Sequence, residues 1–446
     1  MYTKWSIFLI LLFFSPSIWA QPFNTAKADE YIERINSFQR GIGSVAIYKN
    51  NKVIYARDFG HQLVGEDQQA PHLYHIGSIT KMFTAVLIYQ LVDEGKLKLD
   101  DRVASYFPEL NIPNLFMIKI SDLLSHTSGL DDYTCYEDDF YWLRESQSEQ
   151  AIQENITQQG TPHFGLKKKN FFFSNTGYYL LARIVEHKRQ MSYDEAVKKY
   201  IIKKIHLENT YTASDVLPYP VQSYQLFDQW EAMDEISFEN TNGVNDLISS
   251  VDDLAQFNQA LFSNKLISKS SLASMKPVPY KEKYGRGMMY YLYNKKNFVG
   301  HTGGTFGSFS LLYYSEEEKL TLVYAINGAA FSHYQLFDAL LAILYAKKYT
   351  LPQFDTIPVT DEQLQHYVGS YHNPQLDLTI EFVIKKNKLF LKPSGCNRYA
   401  LLDAVGENTF RSPEGTVTYS FIPQNNQVTV QQLKANFILN KVDPKK

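Results

Sequence analysis

Cysteine is scarce: Cys135 and Cys396 are the only two in 446 residues. A fold built on disulfides is therefore excluded, although these two could form one bridge in an oxidising compartment. No segment beyond the N-terminus is apolar for long enough to cross a bilayer, so no stable membrane insertion is expected. Neither sign of charge is in excess. Lys and Arg number 44 against 47 Asp and Glu, a formal net charge of −3, which argues against a nucleic-acid surface. No histidine is spaced with Asp, Glu or Cys as metal ligands usually are, so neither a metal nor a cofactor is expected. Internal repeats and low-complexity tracts are missing as well. Aromatic residues, by contrast, make up 15% of the chain, mostly Tyr and Phe. They suit a large core and a carbohydrate- or peptide-lined cleft equally well.

The N-terminus reads as a secretory signal peptide. Lys4 precedes the apolar run Ser6–Phe14, then Pro16 breaks it and Ala20 offers a small residue at the cleavage point. Residues 1–20 are accordingly assigned to export, and the mature protein to a secreted or periplasmic location. No cysteine follows the cut to carry a lipid anchor. What remains is long enough for two or three domains.

Periodicity divides that remainder. A helix is expected over Glu30–Arg40, then a hairpin from Gly43 to Ala56 around Asn50-Asn51. Helical patterns dominate from Ser78 to about Asp253, including Ser121–Leu124 and Asn175–Glu186. Ser192-Tyr193-Asp194-Glu195 is a capping box for a helix to about Lys203, and Ser250-Val251-Asp252-Asp253 opens one ending near Phe262. Strands return after Tyr284, with a hairpin of Ser308–Tyr314 and Leu320–Ile326, and a helix over Ser332–Lys347. Strand, long helical insertion, strand and helix imply one α/β (α+β) domain over 25–347. Residues 348–360, rich in Pro and polar groups, read as a linker. Beyond them, 361–446 form a small β domain, a partial barrel with strands Leu376–Val383, Lys388–Lys392, Val417–Ile422 and Gln427–Gln432.

Ser78-Ile79-Thr80-Lys81 opens the apolar stretch Met82–Val92. Side chains three apart share a helix face, so the serine hydroxyl and the lysine amine can meet. A desolvated lysine loses its charge and can then accept the serine's proton. S-x-x-K is the nucleophile element of serine β-lactamases and penicillin-binding proteins, but it also arises as an N-cap serine followed by a solvated lysine. Two further elements decide between these. Gly300-His301-Thr302-Gly303-Gly304 has the form of a strand bearing [Lys/His]-Thr-Gly, and Phe173-Ser174-Asn175 falls where a Tyr-x-Asn element belongs.

With these motifs the chain resembles the class C β-lactamase-related serine hydrolases, a family of esterases, D-amino-acid peptidases and carboxypeptidases. Leu124–Leu130, Gly243–Phe262 and Tyr284–Met288 fit the same pattern, which spans about residues 25–347. The resemblance implies a β-lactamase/transpeptidase-like antiparallel sheet flanked by helices, with a helical subdomain and the site between them. It assigns Ser78 as nucleophile, Lys81 as base, the N–H groups of Ser78 and Gly304 as oxyanion hole, and Asn175, His301, Thr302 and Gly303 to substrate binding and proton relay. His126 is given a packing role in its turn, and His72 and His75 a supporting one near the nucleophile. Glu137–Asp139 and Glu316–Glu318 read as solvated loop charges.

Two departures matter. Phe173 occupies the family's tyrosine position and cannot carry a proton, so Lys81, a water held by Asn175 and His301, or Ser174 must take over that work. His301 replaces a lysine, which disfavours substrates that depend on a free carboxylate. The expectation is an exported serine hydrolase forming an acyl-enzyme on an ester, amide or D-amino-acid peptide of cell-wall origin, slowed by the loss of the tyrosine. The alternatives are a non-catalytic binding protein with a degenerate site, or a β-lactamase/DD-carboxypeptidase.

Overall fold

The computed structural model describes residues 23–66, 70–134, 139–158, 170–279, 281, 283–393, 399–413, 415–432 and 435–442. The expected signal peptide, both cysteines with their candidate bridge, and Glu137 and Asp138 lie outside the described residues. Among the described residues, no helix is long and apolar enough to cross a membrane.

Helix α1 (Thr25–Ser37) leads into strands β1 (Gly41–Lys49) and β2 (Lys52–Phe59). Asn50 and Asn51, at φ +51° and +62°, make the left-handed turn that a tight hairpin needs and asparagine tolerates. Helices α2 (Thr80–Asp93), α3 (Asn175–Arg189) and α4 (Val251–Phe262) belong to the central stretch. The chain then returns to the sheet as β3 (Met289–Tyr293), β4 (Lys296–Gly304), β5 (Phe309–Ser315) and β6 (Leu320–Ala329), and ends this part in α5 (His333–Leu344). The strand order is β2-β1-β6-β5-β4-β3, antiparallel at each step. The first hairpin thus completes a sheet whose other main strands come from the far end of the domain, with Tyr224–Leu226 pairing alongside β6 and Trp230–Ala232 beyond it.

Both faces of this sheet are covered, and the side-chain alternation shows it. Val45, Ile47, Leu322, Tyr324 and Ile326 pack against α1 and α5, while Ala46 and Val323 join the opposite core with α2, α3 and α4. Every residue from Thr80 to Leu91 is buried. A helix apolar on all sides belongs in the interior, and this one is wedged between the sheet and the helical layer.

Some boundaries differ from expectation. The first helix is Thr25–Ser37, earlier than Glu30–Arg40, because Asn24 caps it through the Lys27 N–H. The helix opened by the Ser192 capping box is α-helical over Tyr193–Val197, widens over Lys198–Ile202, and ends at Ile205. The glycines of Gly300–Gly304, by contrast, lie inside β4, on a strand as expected.

The C-terminal residues form a nine-stranded antiparallel, near-closed sheet around its own core, which includes Tyr371, Phe382, Phe410, Phe421 and Leu439. Strands Gly369–Asn373 and Ala435–Val442 were not expected from the sequence. The segment joining the two sheets lies along α1: Arg34 pairs with Asp355 and donates to Pro352 O, and Phe354 enters the first domain's core.

Candidate active site

Ser78 sits on a tight turn, Gly77–Ile79, immediately before α2. Ile79 occupies the helix-cap position and no side chain caps it, so Ser78 is not an N-cap and its hydroxyl is free for other partners. Lys81, one turn on, is fully buried and donates to Ser78 Oγ at 2.8 Å and to Val244 O at 3.2 Å. Burial lowers its ammonium from 10.5 to about 7, opposed by the Asp132 and Asp246 carboxylates. Burial also pushes Asp246 well above its ordinary value, which weakens that opposition.

The turn is pressed against the end of β4. Gly77 has φ +52°, and a Cβ there would come within 2.7 Å of Gly304 N. One on Gly303 would lie 2.0 Å from Ile76 O. Ser310, across the sheet, donates to that same carbonyl at 2.7 Å. These glycines bring two main chains together at the nucleophile, and Gly304 itself has open space where a side chain would stand.

His301 points inward from β4 and is fully buried. Its Nδ1 lies 2.5 Å from Thr302 O, and a carbonyl only accepts, so Nδ1 carries the proton. Nε2 is left to accept from Tyr284 Oη at 3.0 Å. Burial, with the Lys81 charge second, lowers His301 to about 3, so the ring is neutral. Thr302 turns away, its hydroxyl against the Met289 sulfur.

Asn175 starts α3 beside the site, but its amide nitrogen donates to Thr134 Oγ1 at 2.8 Å and its backbone N–H to Asp132 Oδ2 at 3.1 Å. Its Oδ1 is buried without a hydrogen-bond partner among the described residues. The side chain that reaches the nucleophile is instead Asn245, whose Oδ1 accepts from Ser78 Oγ at 3.0 Å. The loop carrying it is clamped to α2, since Thr84 Oγ1 donates to Gly243 O and Leu247 N–H donates to Thr80 Oγ1. Asn245 lay in a stretch that matched the family pattern without a role, and so did Tyr284.

Phe173 presents its ring to Lys81, with Nζ 5.2 Å from the centroid. A ring face attracts a cation, but it cannot exchange a proton with it. His126 stacks on Phe173 at 4.4 Å and lies edge-on to Tyr284 at 4.7 Å. Its Nδ1 accepts the Ser174 N–H, and burial holds it neutral, well below its ordinary value. The packing role expected for His126 therefore unfolds at the wall of the site. Ser174 Oγ donates to Asp131 O, away from Lys81. Tyr178 is a buried helix residue and donates to Leu124 O. His75 pairs with Glu235 and stacks on Phe238.

The Beta-lactamase family matches residues 29–347 of this chain. Penicillin-binding protein 4* of Bacillus subtilis (strain 168) is 26% identical over 358 residues, covering 74% of this chain and 79% of that protein. Teichoic acid D-alanine hydrolase of Staphylococcus aureus (strain NCTC 8325 / PS 47) is 25% identical over 312 residues, 68% of this chain and 74% of its own. Among solved structures, D-amino acid amidase from Ochrobactrum anthropi SV3 superposes with a TM-score of 0.61 at 20% identity, over 71% of this chain and 99% of that one. The octameric penicillin-binding protein homologue from Pyrococcus abyssi gives 0.60 at 23% identity over 93% and 99%. At these identities the two structures establish a shared fold, which in the second extends into the C-terminal sheet.

Proposed function

The chain belongs to the beta-lactamase family, and on that premise we propose that it is an exported serine hydrolase working through an acyl-enzyme at Ser78. The observation that carries this reading is the 2.8 Å contact between Ser78 Oγ and a lysine that desolvation brings to about 7. Near neutral pH a large share of Lys81 is then an amine with a lone pair beside the hydroxyl.

Ser78 Oγ attacks the substrate carbonyl as Lys81 Nζ takes its proton. The oxyanion is met by the N–H groups of Ser78 and Gly304; one such donor is typically worth about 3 kcal/mol. The Lys81 ammonium returns the proton to the leaving oxygen or nitrogen as that bond breaks. Water, deprotonated by the same amine, then attacks the acyl-serine and releases the acid. In the resting state Ser78 donates to Asn245, so its proton must swing from Asn245 to Lys81 before attack. Phe173 leaves no phenol to share these transfers, and losing a positioned acid–base group typically costs about 10²–10⁴-fold in rate. The enzyme is therefore slow.

A neutral His301 offers no fixed charge for a substrate carboxylate. This supports an ester, amide or D-amino-acid peptide of cell-envelope origin over a β-lactam, in line with relatives named for teichoic acid D-alanine and D-amino acid amides. The N-terminal sequence, read as an export signal, supports a secreted or periplasmic location. The second reading, a binding protein with a spent site, is favoured by Phe173 alone.

Intact-mass measurement after incubation with a fluorophosphonate, β-lactams, esters and D-amino-acid peptides separates the two. The hydrolase reading requires a covalent adduct on Ser78 that is absent in Ser78→Ala. Lack of any adduct, with ligand binding unaffected by Ser78→Ala, would establish the binding protein.

A further inference from the structure

Phe171, Phe172 and Phe173 run together in the sequence, and the reaction above gives them no part beyond the missing phenol. The fold pins this run to one residue. Phe172 N–H donates to His126 O at 2.8 Å, and Ser174 N–H donates to His126 Nδ1 at 3.2 Å. Phe171 and Phe173 both rest against the His126 ring, the first edge-on at 5.9 Å and the second stacked at 4.4 Å. Phe171 also lies 5.8 Å from the Tyr284 ring. The two supporting rings are buried, His126 at 1% and Tyr284 at 6%, whereas Phe171 is 55% exposed and Phe173 36%. Together they make an aromatic ledge with a buried back and an open front.

The ledge adjoins the nucleophile. The Phe173 centroid is 5.2 Å from Lys81 Nζ, which itself touches Ser78 Oγ at 2.8 Å. One exposed apolar side chain is ordinary, but two on a shared support beside a reactive serine mark a binding surface. Which end of the substrate meets it follows from the route of the proton. The oxyanion faces the Gly304 N–H, while Lys81 hands its proton to the departing atom, so that atom comes within hydrogen-bonding reach of Nζ. Whatever the departing atom carries then lies over the Phe173 ring and extends toward Phe171. Neither ring offers a hydrogen bond, and His126 behind them is neutral with its Nδ1 taken by Ser174. A charged or polyhydroxyl leaving group would be desolvated there without a partner, whereas an apolar one gains ring contact.

We propose that Phe171 and Phe173 form the leaving-group subsite, and that the substrate is an ester or amide whose departing alcohol or amine carries an aromatic or bulky aliphatic group. This narrows the substrate class of the Ser78 reaction and rests on that reading.

The methyl, butyl and benzyl esters of D-alanine test it, because they share an acyl group and release alcohols of similar acidity. From methyl to benzyl, kcat/KM should rise at least about tenfold. Phe171→Ala should erase most of that ratio, and Phe171→Leu should restore much of it. Binding is read without turnover in Ser78→Ala by calorimetry. There the benzyl ester should bind at least about tenfold tighter than the methyl ester, and lose the advantage when Phe171→Ala is added. Equal kcat/KM for the three esters, or a benzyl preference unchanged in Phe171→Ala, would overturn the subsite while leaving the acyl-enzyme standing. Absence of any Ser78 adduct, with the benzyl preference retained in Ser78→Ala, would instead overturn the hydrolase reading and keep the ledge as a binding surface.

Discussion

Asn245 and Lys81 compete for one hydroxyl. Ser78 gives its proton to Asn245 Oδ1 while accepting from Lys81, so the resting pair is poised but not yet engaged. Replacing Asn245 by aspartate keeps the shape and places a carboxylate about 3 Å from the hydroxyl that Lys81 touches. An opposite charge that close stabilises the ammonium, typically by 1–3 pKa units. Asn245→Asp should therefore move the rise of acylation with pH by roughly one unit or more to the alkaline side, read from the rate of adduct formation at each pH. An unshifted profile would remove Lys81 from the proton's path. Phe173 acts at the same scale. Phe173→Tyr should raise turnover if the phenol is all that the site lacks, whereas no gain would mean that proton transfer has been rebuilt around Lys81. Of these residues, Ser78, Lys81, His301 and Phe173 were legible from motifs. Asn245 was not, because its partner is 167 positions away and nothing local marks an asparagine in a loop as a nucleophile's neighbour. Asn175 shows the converse: the motif named it, and the fold turns its amide to Thr134.

At the scale of elements, the site depends on how closely β4 approaches the turn before α2. A Cβ on Gly303 would meet the Ile76 carbonyl at 2.0 Å, and backbone cannot rotate aside as a side chain can. Gly303→Ala should cost about 1–3 kcal/mol in denaturant unfolding, as overpacking does, and reduce Ser78 labelling by at least tenfold because strand and turn must part. Retained stability together with full labelling would show that the contact is dispensable. Elements with strong local signals were readable in advance. The Asn50-Asn51 turn, the Ser192 capping box and the strands Val417–Ile422 and Gln427–Gln432 all stand where the sequence put them. Gly369–Asn373 and Ala435–Val442 escaped because alternation was too faint. The first places only Tyr371 in the C-terminal core, and in the second Leu439 is buried while its neighbour Ile438 is 47% exposed.

Across the whole molecule, the two sheets are joined by more than the connecting segment. Arg40, between α1 and β1, donates to Asp403 Oδ1 of the C-terminal sheet at 2.6 Å, with side chains only 10% and 5% exposed. Ile357 N–H donates to Ala404 O beside it. Removing one member of a buried pair leaves the other charge uncompensated, at about 3–5 kcal/mol. Asp403→Ala should show that loss in denaturant unfolding and speed proteolysis in the connecting segment, while a change below about 0.5 kcal/mol would mean that the sheets are held elsewhere. The resemblance made the antiparallel sheet legible and strand alternation the small β domain, but neither showed this contact, whose partners lie 363 positions apart. What the assembled molecule does rests on one claim, that Ser78 is activated by Lys81 without a tyrosine. The rate of Ser78 acylation by a fluorophosphonate, followed by intact mass across the pH range, tests it most directly. Because Lys81 must be neutral to accept the proton, and its folded value is lowered to about 7, the rate should climb through neutral pH and level off above it. A rate that is flat across neutrality, or labelling that survives Ser78→Ala, would contradict the account.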